Sequence, residues 1–498
     1  TISLASKFEV FFRNSIGLPF NFGTIFFFLL LAAILVFALR YAYKSGRTIL
    51  YNSVLGLSLL FIGYGSFAVI VIRSNADTPM DQNNPENLVN LHTYLTREQY
   101  GSTPIVSGPY WNSMENGGRF DSNNRWISYE NKVDWKDRKP QYVRRFVVSK
   151  NESILQTFLT EDKANAFAAK NGAEVKEMFY EVNADYRKNA VPTYAQTTIF
   201  PRMFDGDVPR KVEGYKRWSG YDDMKDGPLG KDRKALPSMT ENLTYFVNYQ
   251  VDWMYTRYLL WNFVGRQNDV QGHGDDMRGN WKSGLAFIDN DRLGDQAEAP
   301  FYTTNNPANN SFFFIPLILT LIGLGYHAYK SPKDAFVVFL GFLLTGFAIL
   351  IYLNQKTFEP RERDYAYAGS FYFLMMWLGM GVFALYQAFV SVTKKDLKPV
   401  FMIAAAGLVV FLIADFFGGD GMTKTLSWLW IAGVSLLAVG LMIALKKVTK
   451  SDVAGASFAT MLGLSAPIIL GMQGWDDHNR NGKTTAHDVA YNYLVNLS

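Results

Sequence analysis

The chain has 498 residues, 49% hydrophobic and 19% charged, with 39 Phe, 28 Tyr and 11 Trp; this mixture excludes a disordered chain, a collagen-like chain and a coiled coil. Its 49 basic and 44 acidic residues leave a formal charge of +5, too small an excess to mark a nucleic-acid binder. Cysteine is absent, which excludes disulfides, thiolate metal sites and cysteine nucleophiles and suits an oxidising compartment.

Residues 1–21 contain FEVFFRNSIGLPF, which sets Phe8, Phe11 and Phe12 along one side of a helix. The segment reads as amphipathic and interfacial, or alternatively as a buried core helix. The chain opens without Met or a signal peptide and stops inside the helix-like YNYLVNLS, as an internal fragment of a longer polypeptide would. Two apolar runs, 22–43 and 50–72, are each long enough to cross a bilayer. From 74 to 311 the pattern is polar and mixed. YVRRFVVS (142–149) is strand-like, EDKANAFAAKNG (161–172) is helix-like, and turn residues are frequent, so this stretch is expected to form one mixed α/β domain outside the membrane. Further apolar runs cover 312–329, 335–353, 368–392, 399–417, 426–445 and 457–472. The last carries Gly463 and Pro467 and admits a broken or re-entrant form. Residues 474–498 then begin another soluble region. The expected fold is an α-helical polytopic membrane protein of about eight spans, with a large mixed α/β loop domain between the second and third.

Orientation follows from the connectors. Arg40, Lys44 and Arg47, then Lys330 and Lys333, then Lys394, Lys395 and Lys398, then Lys446, Lys447 and Lys450 fall on alternate connectors, while the intervening ones are balanced or polar. Lysine and arginine resist translocation, so the basic connectors are expected in the cytoplasm, with residues 74–311 and both ends outside it.

Two constellations carry chemistry. EPRERDYAYAGSF (359–371) crowds Glu359, Arg361, Glu362, Arg363 and Asp364 beside the membrane, with Lys356 before them and Tyr365 and Tyr367 after. Guanidinium forks steadied by neighbouring carboxylates suit a lipid phosphate, and a carboxylate there suits a base or metal ligand. The plainer reading is a self-neutralised turn between two helices. The second is YFVNYQVDWMYTRYLLW (245–261) running into WNFVGRQNDVQGHGDD (261–276). Trp253 and Trp261 offer faces for stacking, and Arg266, Gln267, Asn268 and Asp269 follow, as a sugar or peptide groove would need. Core aromatics ending in a polar loop explain the same residues.

Other signals are weaker. In LVNLHTYLTREQYGSTP (88–104), His92, Arg97 and Glu98 fit a capped surface helix as well as a site. WDDHNR (475–480) admits a divalent ion without requiring one, and no zinc-type spacing, phosphate-cradling glycine loop or GxSxG is present. Within the apolar runs the clearest ionisable residues are Asp415 and His327, too few for an ion path.

At EPRERDYAYAGSFY, NFVGRQNDVQGHGD, YLTREQYG and DDHNRNGKTTAHDVAYNYL the chain resembles a large family of Bacteroidetes membrane proteins. That family, long known only as a domain of unknown function, is similar to an animal transmembrane O-mannosyltransferase and belongs with the GT-C glycosyltransferases. The resemblance runs over essentially the whole chain. It implies a GT-C-like inner-membrane enzyme that takes a sugar, mannose being the expected one, from a polyprenyl-phosphate carrier and gives it to protein Ser or Thr in the periplasm. The implied partners are membrane lipid, the lipid-linked donor and an acceptor protein, with further chains where the protein sits in an envelope complex. The implied cofactor is none, with a divalent metal admitted. The family's acidic base falls ahead of Thr1 and its helical repeats after Ser498, so no catalytic residue is assigned. Arg361 and Arg363, with Arg266 as a third, are expected to hold the departing polyprenyl phosphate. Glu359, Glu362, Asp364 and Tyr365 are expected to support them, while Trp253, Trp261, Asn268 and Asp269 line a sugar or acceptor groove. A lipid-linked sugar flippase or transporter, and a non-enzymatic scaffold subunit, are the competing expectations.

Overall fold

In the computed structural model each apolar run of the sequence is helical. The structure describes residues 2–76, 84–96, 103–116, 119–122, 126–127, 136–137, 142–150, 153–181, 190–191, 193–391, 397–418, 421–479, 481–482 and 484–495. Arg97, Glu98, Lys394 and Lys395 lie outside the described residues. Contacts gather the chain into two units, Thr1–Thr103 with Met114–Gln196, and Pro104–Ser113 with Thr197–Ser498, so the polar stretch 74–311 contributes to both.

Among the described residues six helices are long and apolar enough to cross a membrane: Phe22–Lys44, Thr48–Ser74, Pro332–Leu353, Asp364–Ser391, Thr423–Thr449 and Asp452–Trp475. They leave large apolar side chains uncovered, among them Phe37, Ile62, Val337 and Met461, which is the surface a lipid environment requires. This is a polytopic helical membrane protein. The run at 312–329 is shorter than those six: it is helical over Ile315–Lys330, 16 residues, because Phe313 and Phe314 take left-handed backbone just before it. The run at 399–417 lies in the helix Leu397–Gly418, 22 residues. The final run is one unbroken helix, Asp452–His478, with Pro467 inside it. Two of its glycines serve packing: a Cβ on Gly463 would lie 2.5 Å from Val382, and one on Gly455 would lie 2.0 Å from the Phe389 ring.

In the first unit, Ile2–Phe11 is a helix whose Phe8 rests on Phe26 and Phe27. Glu9 on the same helix is buried, and its carboxylate accepts the backbone N–H groups of Asn21 (2.6 Å) and Thr24 (2.8 Å). It therefore satisfies orphan donors at the start of Phe22–Lys44, where negative charge also suits the helix dipole. The strand-like stretch forms Tyr142–Lys150, the centre of an antiparallel sheet with Ser153–Phe158 and Glu174–Glu181 on its two sides. The helix Glu161–Asn171 lays Ala164 and Ala168 against Val148, the small residues allowing close approach, and ends at Gly172 in a left-handed cap.

In the second unit the helix Ile315–Lys330 packs closely on Ala368–Ser391. A Cβ on Gly323 would sit 1.8 Å from the Trp377 carbonyl oxygen, and one on Gly381 would sit 2.1 Å from that of Leu319. Backbones come this close only where both surfaces are bare, the usual means by which membrane helices gain contact.

Candidate functional site

The frame of the site is the aromatic helix. Ser238 and Glu241 form a reciprocal capping box that starts Met239–Tyr245. The helix then widens to π-helical turns over Phe246–Thr256 and returns to α geometry for Arg257–Phe263. The wider turn puts Tyr245, Tyr249, Gln250, Met254, Tyr255, Arg257, Tyr258 and Trp261 all into the interior. The aromatics of 245–261 thus belong largely to a core, and their polar ends are spent on the chain that leads into the charged loop. Tyr245 Oη donates to the Gln355 carbonyl and Tyr249 Oη to that of Lys356, both at 2.9 Å. Gln250 Nε2 donates to Asn354 Oδ1 and to the Gln355 carbonyl. Asn354, in left-handed backbone, ends the helix Phe347–Leu353 and donates to the carbonyls of Pro104 and Pro201. Arg202 is fully buried and donates to the carbonyls of Ile351 and Ile105, placing a cation against the last turn of the same helix. Burial lowers its pKa to about 10, opposed by Tyr245.

Within the loop, Glu362 is the fastening point. Its carboxylate accepts Arg257 Nη2 at 2.8 Å and Nη1 at 3.3 Å, the Gly272 amide at 3.3 Å, and the Tyr258 hydroxyl. Tyr258 in turn accepts the Arg363 amide at 3.1 Å. Burial pushes the Tyr258 phenol up, and Glu362 adds to this against the opposing Arg257 charge, so it remains a donor. Arg257 is only 3% exposed; it also donates to the Gly279 and Trp253 carbonyls and lies against the rings of Trp253, Tyr258 and Trp261. Gln271 Nε2 reaches the Glu359 carbonyl at 2.6 Å. The charged loop and the GRQNDVQGHGD loop are therefore one assembly, tied through the end of the aromatic helix.

The three expected phosphate ligands are placed differently. Arg361 is exposed, its guanidinium near Tyr365, with Nη2 at 3.4 Å from the hydroxyl. Arg363 is held by Glu359 at 2.6 Å. Arg266 stacks on Trp261 at 4.2 Å and donates to the Asn268 carbonyl. Asp364 opens the short turn Asp364–Tyr367 that leads into the next helix. Among the groove residues, Trp253 packs between Trp218 and Arg257, while Trp261 is buried and donates to the Gly279 carbonyl at 3.1 Å. Asn268 is also buried, its amide oxygen accepting the Val270 and Gly279 amides and its nitrogen donating to Met277, so it braces its own loop. Asp269 is exposed and accepts from Asn306. Trp253, Trp261 and Arg266 thus meet on one stack of rings and guanidiniums, with Asn268 beneath the loop and Asp269 at its surface.

Asp205 anchors the approach to the loop. It accepts Lys356 at 2.6 Å, Lys211 at 2.8 Å and the Asp207 amide at 3.0 Å. Burial works to raise its pKa, but the two lysines and the amide prevail and hold it at about 2. Arg257, Arg202 and Asp205 carry the architecture of the site although their own sequence neighbourhoods do not mark them; the one local sign is a lone arginine inside an aromatic run. Among the described residues no group of three or more histidine, aspartate and glutamate side chains is arranged to hold a metal ion.

Residues 101–247 match the model of a family described as a family of unknown function (DUF8416), a segment that includes Arg202, Asp205 and the capping box but neither charged loop. No curated protein and no solved structure matches the chain.

Proposed function

We propose that the chain is a GT-C-like membrane glycosyltransferase with eight spans, Ile315–Lys330 and Leu397–Gly418 being the third and sixth. It takes a sugar, mannose the expected one, from a polyprenyl-phosphate carrier and passes it to protein Ser or Thr at the periplasmic face of a bacterial inner membrane. The observation that carries this reading is the union of the two motifs: Glu362 and Glu359 of one loop are bonded to Gly272 and Gln271 of the other through contacts of 3.3 and 2.6 Å. A polar loop between two candidate membrane helices and a second polar loop are joined into one surface, as a headgroup site needs. At that surface Arg361 is exposed while Arg363 is paired with Glu359. Arg361 is therefore the first choice for the phosphate that gains charge as the glycosidic bond breaks, with Arg363 and Arg266 as its neighbours.

The test uses the full chain in lipid nanodiscs with labelled polyprenyl-phosphate mannose and a Ser/Thr-rich acceptor protein. Label on the acceptor supports the enzyme. Lipid translocation without transfer identifies a flippase, and neither activity points to a scaffold. Arg361→Ala is expected to fold normally and to lose about 2 to 4 kcal/mol of transition-state stabilisation, roughly 100-fold or more in rate; parental transfer by this variant removes Arg361 from the mechanism.

A further inference from the structure

The helix Pro209–Ser219 carries four cations in its sequence PRKVEGYKRWS, and they divide into two kinds. Lys211 pairs with Asp205 at 2.8 Å and Lys216 pairs with Asp223. Arg210 and Arg217, each beside one of those lysines, are exposed and have no carboxylate within ion-pairing distance among the described residues. Both lean toward the loop that follows the aromatic helix. Arg210 lies over the Phe358 ring at 4.2 Å, and the His273 imidazole packs on the same ring at 4.8 Å. Arg217 donates to the His273 carbonyl and lies over Trp218.

Two backbone features hold this arrangement. Phe358 has φ of 55°, an uncommon conformation for an aromatic residue, which turns the chain immediately before Glu359. Gly274 has φ of 90°, and a Cβ there would lie 2.5 Å from Trp218 and 3.2 Å from Arg217 Nη2, so only glycine lets the loop close on the helix. The groups facing His273 are Arg210, Arg217, Glu362 and Asp275. Burial, with Arg210, pushes its pKa below the usual value against Glu362 and Asp275.

We propose that Arg210, Arg217 and His273 form a binding site for a phosphate group. The inference rests on the glycosyltransferase reading only for the source of that phosphate, the carrier lipid, for which this is a second contact point besides the one proposed at Arg361. Unpaired guanidiniums are the side chains suited to bidentate phosphate, and an aromatic floor keeps their planes in place. A bound phosphate places negative charge beside His273 and favours its protonated form, so binding takes up a proton at the histidine in addition to any change in the phosphate's own charge.

The experiment measures binding of inorganic phosphate, and separately of polyprenyl phosphate, to the full chain in nanodiscs by calorimetry and Trp fluorescence at several pH values. Wild type is expected to bind both, the lipid more tightly. The Arg210→Gln/Arg217→Gln double variant is expected to melt normally and to bind each probe about 100-fold more weakly, roughly tenfold per lost contact. His273→Gln is expected to weaken binding relative to wild type more at pH 6 than at pH 8. Parental affinity in the double variant, or a wild type that binds neither probe, overturns the site. Equal affinity for the two probes retains the site and removes the lipid as its source. Each readout is binding alone, so a failure of sugar transfer refutes the glycosyltransferase reading without touching this one.

Discussion

Replacing Glu362 with alanine should be among the most damaging single changes near the loop. Arg257 is 3% exposed, and Glu362 is its carboxylate partner, through contacts of 2.8 and 3.3 Å. The remaining guanidinium contacts are the neutral carbonyls of Gly279 and Trp253 and the rings of Trp253, Tyr258 and Trp261, so the substitution leaves a buried charge without an anionic partner. Breaking such a pair from one side destabilises by about 3 to 5 kcal/mol. The Gly272 amide and the Tyr258 hydroxyl lose an acceptor at the same time. If the loss appears as local opening, the population of the opened loop rises about 100- to 1,000-fold or more. Trypsin reports this directly, because Arg361 and Arg363 flank Glu362 and become cleavable when the loop leaves its anchor. A second variant separates charge from packing: Arg257→Met with Glu362→Leu removes both charges and should recover most of the stability. If Glu362→Ala melts and is cleaved as the parent is, the ion pair does not hold the loop and the architecture given for the site is wrong.

Asp205 makes the protein acid-sensitive in a defined window. Its folded pKa of about 2 lies below the ordinary 3.8, so the stability it contributes is fully present above 3.8 and is lost as pH falls toward 2. The contribution is about 2 kcal/mol at neutral pH. Asp205→Asn should remove it and flatten the acid limb of an unfolding profile measured between pH 4 and 2; an unchanged limb refutes the assignment. Gly323→Ala should destabilise by about 1 to 3 kcal/mol in detergent unfolding, because the new methyl would sit 1.8 Å from the Trp377 carbonyl. Gly325→Ala, on the same helix with nothing within 4 Å of its Cβ, should unfold as the parent does.

Much of the helix content was legible because membrane spans announce themselves by length and apolarity, a signal that needs no partner. The strand at Tyr142–Lys150 and the helix at Glu161–Asn171 were legible for a similar local reason, aromatic and β-branched residues in one and a helix-like stretch ending at Gly172 in the other. The site was legible by residue type and not by arrangement. Glu362 and Arg363 read alike in EPRERDY, yet the first is fastened inside by a residue 105 positions away and the second is paired four positions away. Glu9 shows the same limit. It lies in a phenylalanine-rich segment read for its apolar face, and nothing near it in sequence reveals that its carboxylate closes the start of the following helix. Long-range pairing leaves no periodic trace, so the residues that position a site are harder to find from sequence than those that face a membrane.

The π-helical segment Phe246–Thr256 makes the winding of the helix itself a structural requirement. Such segments carry a surplus residue relative to an ordinary helix. Were the same eleven residues to wind as an ordinary α-helix, that surplus would no longer be absorbed and everything downstream would swing about 100° around the axis. Arg257, Tyr258 and Trp261 would then point away from Glu362 and the Gly279 carbonyl they now engage. A change that merely lets these eleven residues wind regularly would therefore uncouple the two loops while leaving the chain helical throughout.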